Sequence, residues 1–222
     1  MSVADTINRI KAKLPAGCHL VAVSKFHPCE AIMEAYEAGQ RVFGESRVQE
    51  LCEKQPLCPG DIEWHFIGHL QTNKIKQIVP FISLIHGVDS LKLLKEINKE
   101  GEKIDRVIPC LIQIHMAQEE TKFGFSFEEC RTFLSSDTLK ELKFIRLCGL
   151  MGMATLTDNR AQIRSEFKSL KEFFTELKKD YLKKNASFME ISMGMSDDYE
   201  IAVEEGSTMI RVGSAIFGAR VY

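Results

Sequence analysis

A single lysine, Lys25, ends a short apolar run and is the residue of this chain best suited to covalent chemistry. The run 19–25 (His-Leu-Val-Ala-Val-Ser-Lys) has the character of a buried strand, and a helical pattern begins at Pro28. Burial lowers the pKa of a lysine, and the neutral amine can then form a Schiff base with a carbonyl compound. The alternative is a solvated lysine at the end of a strand, because most lysine side chains are exposed.

Two segments near the C-terminus contain the small residues of an anion-binding site. They are 191–196 (Ile-Ser-Met-Gly-Met-Ser), which Asp197 follows, and 210–218 (Ile-Arg-Val-Gly-Ser-Ala-Ile-Phe-Gly). Small residues let the backbone approach a phosphate, whose oxygens accept hydrogen bonds from N–H groups and hydroxyls. Taken alone, each segment is weak support for such a site, because glycines often only shape turns.

A reactive lysine together with a phosphate-binding segment suggests the cofactor pyridoxal 5′-phosphate. The lysine would condense with the aldehyde, and the glycine- and serine-containing segments would hold the phosphate. Arg211 could then donate a hydrogen bond to the pyridine nitrogen while staying charged, because its pKa is above ~12. That contact would keep the nitrogen unprotonated and weaken the ring as an electron sink. A structural salt bridge of Arg211 is an equally good interpretation at this point.

The elements that must position these residues alternate in type along the chain. Strand-like runs cover 19–25, 41–45, 64–68, 84–89, 107–115, 144–153, 187–193 and 209–217. Helical patterns include 28–38, 90–99, 127–135, 160–183 and 197–205. Eight strands alternating with helices in about 200 residues predict a single α/β domain over 1–222, a (β/α)8 TIM barrel with an extra N-terminal helix. A doubly wound open sheet is the alternative, but the first strand-to-helix turn lacks its glycine-rich fingerprint.

A barrel makes a specific prediction about the functional face. Barrel active sites lie at the C-terminal ends of the strands. The residues at those ends would be Lys25, Glu45, Ser46, Gly68, His69, Asp89, His115, Met116, Met153, Ser192 to Met195, Arg211, Gly213 and Ser214. The barrel therefore predicts that Lys25 shares one face with both candidate phosphate segments.

Composition excludes several other classes of protein. The net charge is −2 and no basic block is present, so nucleic acid is not an expected partner. The chain has neither the apolar core of a signal peptide nor the ~18 apolar residues of a membrane span. Seven cysteines without a CxxC pair suit reduced thiols, so a cytoplasmic protein is expected. His65 and His69 stand four apart in a strand-and-turn pattern, which disfavours a zinc pair, and no metal is expected.

The chain as a whole resembles the pyridoxal phosphate homeostasis (YggS/PROSC) family, whose barrel is similar to the N-terminal domain of alanine racemase. The resemblance rests on segments distributed over nearly the full length. They are 20–25, 43–50 (Phe-Gly-Glu-Ser-Arg-Val-Gln-Glu), 64–74 (Trp-His-Phe-Ile-Gly-His-Leu-Gln-Thr-Asn-Lys), 122–124, 149–154, 192–196, Asp198 and 206–218. The resemblance implies the barrel domain of a fold-type III pyridoxal phosphate protein.

The resemblance also implies roles for individual residues. Lys25 would be the Schiff-base lysine, and Arg211 would face the pyridine nitrogen. The remaining cofactor-binding residues would be Ser192, Gly213 and Ser214 at the phosphate, Met193 at the ring, and Ser46 nearby. Two positions depart from the family pattern, which usually has asparagine in place of Ser46 and serine in place of Gly87.

The expected activity is binding rather than turnover. A racemase needs a base on each face of the substrate carbanion, and in alanine racemase the second base is a tyrosine from a separate domain. The tyrosines of this chain, at 36, 181, 199 and 222, lie in helical patterns or in the tail, and the chain ends at Tyr222. We therefore expect a monomeric carrier that helps control intracellular vitamin B6, with pyridoxal phosphate-dependent apoenzymes as candidate recipients. A low-activity amino acid racemase and a cofactor-free barrel enzyme acting on a phosphosugar remain as alternatives.

Overall fold

The computed structural model describes residues 2–116 and 123–218, and within them eight parallel strands close into a barrel. Each strand pairs with its neighbours in sequence, and β8 closes the barrel against β1. The strands are β1 (His19–Val23), β2 (Val42–Glu45), β3 (Glu63–Phe66), β4 (Leu84–Val88), β5 (Ile108–Gln113), β6 (Ile145–Met151), β7 (Glu190–Ser192) and β8 (Met209–Val212). The predicted (β/α)8 barrel is confirmed, and the open doubly wound sheet is excluded.

Helices surround the barrel, and the first of them precedes β1 as predicted. They are α1 (Val3–Lys13), α2 (Cys29–Glu37), α3 (Val48–Lys54), α4 (Ile75–Ile78), α5 (Leu91–Lys103), α6 (Phe127–Ser135), α7 (Thr138–Glu141), α8 (Arg160–Asp180), α9 (Tyr199–Glu204) and α10 (Ser214–Phe217). Short 3₁₀ turns lie at Gln55–Leu57 and Thr72–Lys74. The sequence did not reveal α3, α4 or α7, because helices of four to seven residues are too short to repeat an apolar stripe.

Most strands are shorter than the apolar runs that predicted them. Strand β1 ends at Val23, so Lys25 lies two residues beyond it in the turn that leads to α2. The prediction of a strand over 209–217 is wrong beyond Val212, because Gly213 is the N-cap of the helix α10 and its carbonyl accepts from the Ile216 N–H at 2.8 Å. Apolar residues at the barrel mouth continue the strand pattern without continuing its hydrogen bonds.

The core has two layers, one inside the barrel and one between the strands and the helices. The stripe predicted on α8 is buried in the outer layer, so its aromatic side chains are core. Its members are Ile163, Phe167, Leu170, Phe174 and Leu177. Burial of each such side chain stabilises the fold by roughly 1.5–3 kcal/mol.

The barrel interior combines apolar and polar side chains. Alternate residues of a strand point to the same face, so Met209 and Arg211 on β8 share one side, as do Leu84 and His86 on β4. Leu84 and Met209 belong to the small apolar cluster inside the barrel. Arg211 and His86 are therefore polar groups held in the barrel interior, where each needs a hydrogen-bond partner.

Candidate functional site

A cavity of about 290 Å³ brings Lys25 and Arg211 together at the C-terminal ends of the strands. Its volume is close to the lower end of the range for small-molecule sites, ~300–1,000 Å³. The lining residues are Val23, Lys25, His27, Ile67, Met153, Leu156, Met195, Ser196, Asp197, Arg211, Gly213, Ser214 and Gly218. Two neighbouring depressions are slightly larger, at about 360 and 340 Å³, but neither contains Lys25 or Arg211. The cavity wall thus includes four of the predicted cofactor-binding residues, Lys25, Arg211, Gly213 and Ser214.

The two segments predicted to bind phosphate lie side by side on this cavity. The Arg211 N–H donates to the Gly194 carbonyl at 2.9 Å, and the Gly213 N–H points to the Ser196 Oγ at 3.4 Å. Gly194 has a φ of +94°, and a Cβ there would lie 2.6 Å from the Cβ of Ala202. Only glycine fits this turn, which lets the segment after β7 fold back toward the segment after β8.

The two halves of the 192–196 segment lie differently with respect to the cavity. Ser192 and Met193 are fully buried behind the cavity wall, whereas Met195 and Ser196 line it. The reason is the turn at Gly194: the residues before it complete β7 and its packing, and the residues after it face the cavity mouth. The segment has the same residue types on both sides of Gly194, so its sequence could not indicate which pair is exposed.

Arg211 is held by neutral groups rather than by a direct ion pair. Its Nη1 donates to the Ser192 Oγ at 2.6 Å, and its Nη2 donates to the Gly152 carbonyl at 3.1 Å. Burial lowers the pKa of Arg211 to about 10, and the nearby Asp198 carboxylate opposes that shift. A pKa of about 10 leaves the guanidinium charged at neutral pH. Among the described residues none forms a salt bridge with Arg211, so the alternative drawn from the sequence is not what holds it.

A buried hydrogen-bond chain continues from Arg211 through the barrel interior. His86 Nδ1 lies 2.9 Å from the Ser192 Oγ, and His86 Nε2 lies 3.0 Å from His65 Nδ1. The Ser192 oxygen accepts from Arg211, and its hydroxyl can also donate to His86 Nδ1. The Nε2–H of His86 then donates to His65 Nδ1. Ser192 thus links the guanidinium of Arg211 to the two buried histidines.

His65 and His86, the two histidines of this hydrogen-bond chain, are neutral at physiological pH. Burial, followed by the charge of His19, lowers the pKa of His65 to about 3. Burial also lowers the pKa of His86 well below its usual value, and His65 and Arg211 add to that effect. A neutral ring suits this position, because each histidine accepts one hydrogen bond in the chain.

This arrangement predicts acid-sensitive stability. Below the unfolded-state pKa of ~6.5, the unfolded chain binds protons that the folded histidines do not. The free energy of unfolding therefore falls as the pH decreases. Each such histidine contributes a loss of about 1.4 kcal/mol per pH unit in that range. We expect His65→Gln to remove one of these contributions and flatten the pH dependence of urea unfolding between pH ~6 and ~5.

The matched control for this measurement is His69→Gln, because the His69 side chain is 44% exposed and lies outside the chain. His69→Gln leaves the hydrogen-bond chain intact and shows the effect of a histidine substitution outside it. An unchanged slope for His65→Gln would show that His65 does not stay neutral in the folded protein.

Other predicted strand-end residues lie beside the cavity and not on it. Ser46 follows β2 with its backbone packed against Gly68, and it is not a lining residue. His69 pairs with Asp89 at 2.8 Å and lines the 360 Å³ depression. Glu45 is buried in an ion cluster below the turn that carries Lys25.

Several further points of the sequence interpretation can be placed. A Cβ at Gly87 would collide with the Gly68 carbonyl, which explains glycine at that position. Lys122 of the resemblance and Tyr222 lie outside the described residues. All seven cysteines are free thiols. The described residues contain no group of three or more His, Cys, Asp or Glu that could hold a metal, and no helix among them is long and apolar enough to cross a membrane.

The sequence interpretation missed several cavity residues. The residue roles implied by the resemblance did not include Met195, Ser196 or Asp197, although the 191–196 segment was predicted to bind an anion, and His27 and Leu156 lie in connecting loops. The second serine of the 192–196 segment was the one available signal. The loop residues had none, because a loop position gains its place in a site only from the path of the chain.

Comparison with known proteins assigns this barrel to a class. The fold and the site define a (β/α)8 barrel of the alanine racemase N-terminal domain type, and the model of that domain family matches residues 2–221. The pyridoxal phosphate homeostasis protein of Aquifex aeolicus is 37% identical over the full length of both chains. The protein of that name from Haemophilus influenzae is 36% identical, covering 100% of this chain and 98% of the relative. The chain belongs to the pyridoxal phosphate homeostasis protein family.

Solved structures agree with this assignment. PipY of Synechococcus elongatus, solved with pyridoxal phosphate bound, superposes with a TM-score of 0.90 at 36% identity, covering 98% of this chain and 100% of PipY. Alanine racemase of Clostridium difficile superposes with a TM-score of 0.78 at 15% identity, covering 98% of this chain but 56% of the racemase. At that identity the racemase comparison supports the fold alone.

Proposed function

We propose that this protein binds pyridoxal 5′-phosphate through Lys25 and takes part in the homeostasis of intracellular vitamin B6. One observation carries the proposal: Lys25, Arg211 and the small residues of two adjacent segments all line a single cavity. The names of the relatives and the pyridoxal phosphate bound to PipY support the choice of ligand. The cavity fits such a ligand because it offers an amine for an aldehyde, hydroxyls and an N–H for a phosphate, and a charged donor for the ring.

The positions of the described residues support a role for each of them. Lys25 would supply the amine for a Schiff base with the aldehyde carbon, a condensation that releases the aldehyde oxygen as water. Ser196, Ser214 and the Gly213 N–H bind the phosphate, and Met195, Met153 and Ile67 contact the ring. Ser192 acts through Arg211 instead of at the phosphate, and Met193 supports the wall from behind.

Arg211 determines which chemistry the site restrains. When bound, pyridoxal phosphate supplies an electron sink, which is strongest with a protonated pyridine nitrogen. Arg211 stays charged at neutral pH and can only donate to that nitrogen. A ring held in this way is a poor catalyst of carbanion chemistry, which suits storage and delivery of the cofactor.

The direct test is an absorption spectrum of the purified protein with pyridoxal phosphate, before and after borohydride reduction. We expect a visible Schiff-base band that reduction removes, and a reduced label on the peptide that contains Lys25. A protein that stays colourless with excess pyridoxal phosphate would favour the cofactor-free barrel enzyme.

A second experiment separates the carrier from a weak racemase. We incubate the loaded protein with L-alanine or L-serine in deuterium oxide. We expect that it does not exchange the Cα proton of many equivalents of amino acid. Among the described residues the cavity wall contains no tyrosine, and the Tyr36 hydroxyl donates to Asp61 at 2.8 Å. Exchange of many equivalents of amino acid per protein would establish a racemase and overturn the carrier function.

We further propose that the protein is a cytoplasmic monomer, that residues 1–222 form one domain, and that pyridoxal phosphate-dependent apoenzymes receive the cofactor. The seven free thiols support the reducing location. Gel filtration of the loaded protein tests the monomer, and activation of an added apoenzyme tests delivery.

A further inference from the structure

A buried ion cluster lies directly below the turn that carries Lys25. It consists of Glu45 at the end of β2 with Glu50 and Lys54 on α3. The Lys54 Nζ lies 2.8 Å from the Glu45 carboxylate and 2.6 Å from the Glu50 carboxylate, one turn away on the same helix. The side chains are 8%, 0% and 18% exposed for Lys54, Glu45 and Glu50.

Burying the charged groups of this cluster has a cost in free energy. Removing charges from water carries a desolvation penalty of several kcal/mol per ion, and well-packed apolar side chains are often as stable or more so. Burial raises the pKa of Glu45, although Lys54 and Ser24 oppose the shift. One oxygen of Glu45, Oε2, is buried without a hydrogen-bond partner. Stability of the fold alone therefore does not account for these three residues.

The other hydrogen bonds of the cluster go to the residues on either side of Lys25. Lys54 Nζ donates to the Ser24 carbonyl at 2.8 Å, and the Ser24 Oγ donates to Glu45 at 2.7 Å. On the other side of Lys25, the Phe26 N–H donates to Glu50 at 2.6 Å. Two hydrogen bonds with charged groups thus hold the backbone immediately before and after Lys25, and a third holds the Ser24 side chain.

The conformation held by Glu50 is one that the turn would not adopt freely. Phe26 has a φ of +67°, in the left-handed region, which is uncommon for a bulky residue without local hydrogen bonding. Hydrogen bonds to a charged acceptor are stronger than neutral ones, and the bond from the Phe26 N–H to Glu50 offsets the strain of this conformation. The strained residue and its charged partner lie next to the lysine of the site.

We propose that Glu45, Glu50 and Lys54 form a positioning cluster that fixes the turn 24–26, so that the Lys25 amine is presented to the cavity. This inference rests on the proposed function and deepens it, because it gives a role to the 43–50 segment, whose charged residues do not line the cavity. Lys54 is a positioning residue: it contacts the turn and not the cavity wall. Loosening the turn should impair covalent capture at Lys25 and leave the opposite, phosphate-binding wall intact.

The test compares Lys54→Met with Lys103→Met, which removes a lysine from an exposed ion pair with Glu100. Two ligands separate the effects: pyridoxal phosphate, which forms the covalent bond, and pyridoxine phosphate, which lacks the aldehyde. For Lys54→Met we expect the rate of appearance of the Schiff-base band to fall roughly tenfold or more, because misplacement of a reacting group by ~1 Å costs up to ~10²-fold. Affinity for pyridoxine phosphate should stay within about twofold of the native value, since that ligand does not require the turn.

A readout without ligand makes the test independent of the cofactor. Amide hydrogen exchange of residues 24–26 should accelerate in Lys54→Met and remain native in Lys103→Met. Glu50→Gln retains an acceptor for the Phe26 N–H and should show a smaller change than Glu50→Leu, which removes it. The comparison of these two Glu50 variants also tests the proposal if Lys54→Met fails to fold.

Native capture rates and native exchange in Lys54→Met or Glu50→Leu would overturn the positioning role. Equal loss of both ligands would also overturn it, because a general disturbance of the fold would then explain the result. Failure of the underlying function looks different: the native protein itself would show no Schiff-base band.

Discussion

Lys25→Ala is expected to abolish the visible absorbance band that forms with pyridoxal phosphate. Lys25 lies half-buried on the cavity wall, two residues beyond β1, and is the one lysine among the described lining residues. Alanine has no amine, so the covalent bond to the aldehyde cannot form. The measurement is the absorption spectrum at saturating pyridoxal phosphate, followed by borohydride reduction and peptide mapping.

The loss should be confined to the covalent part of binding. Ser196, Ser214 and Gly213 remain in place in Lys25→Ala, so pyridoxine phosphate should still bind, with weaker retention of pyridoxal phosphate than in the native protein. Lys103→Ala, at an exposed ion pair, serves as the control and should keep the native band. An intact band in Lys25→Ala would mean that another lysine makes the bond, and the site assignment would be wrong.

The second large effect concerns Arg211, the charged group held inside the barrel. Arg211→Glu is expected to shift the visible spectrum of the bound cofactor, because a carboxylate favours a protonated pyridine nitrogen whereas a guanidinium excludes it. The same substitution removes the donors to Ser192 and to the Gly152 carbonyl. A buried polar group left without its partner costs about 1–3 kcal/mol, so the free energy of unfolding should fall as well.

Arg211→Lys separates the two consequences. It keeps a positive charge at the position but lacks the planar, two-nitrogen geometry, so it should lose stability while its spectrum stays close to that of the native protein. Circular dichroism before the cofactor is added establishes that each variant is folded. An Arg211→Glu variant that folds, binds pyridoxal phosphate and shows the native spectrum would place the guanidinium away from the pyridine nitrogen.

Together these variants describe a site that binds a reactive cofactor while limiting its reactivity. In the proposed function Lys25 would supply the bond, the segments after β7 and β8 would supply the phosphate contacts, and Arg211 would restrain the ring. The hydrogen-bond chain through Ser192, His86 and His65 holds Arg211 in place from inside the barrel. The cluster around Lys54 holds the turn of Lys25 from outside the barrel.

The sequence by itself determined the order of elements and the principal chemical groups. The alternation of apolar runs with helical stripes follows from burial, which is written locally in the residue pattern, and it predicted the closed barrel. The position of Lys25, Arg211, Gly213 and Ser214 at the ends of the first and last strands then followed, because all strand ends of a parallel barrel share one face. The confirmed family adds pyridoxal phosphate as the ligand to propose.

Only the tertiary structure decided which residues line the cavity and which hold the turn that carries Lys25. Because of the turn at Gly194, Met195 and Ser196 line the cavity wall, whereas Ser192 and Met193 are buried. The 192–196 segment has the same residue types on both sides of that turn, so its sequence does not distinguish the two pairs. Lys54 is a lysine on a short helix in the sequence, yet in the fold it binds the backbone beside Lys25 across thirty positions of chain. Such contacts depend on how distant segments pack, and no local pattern of residues records them.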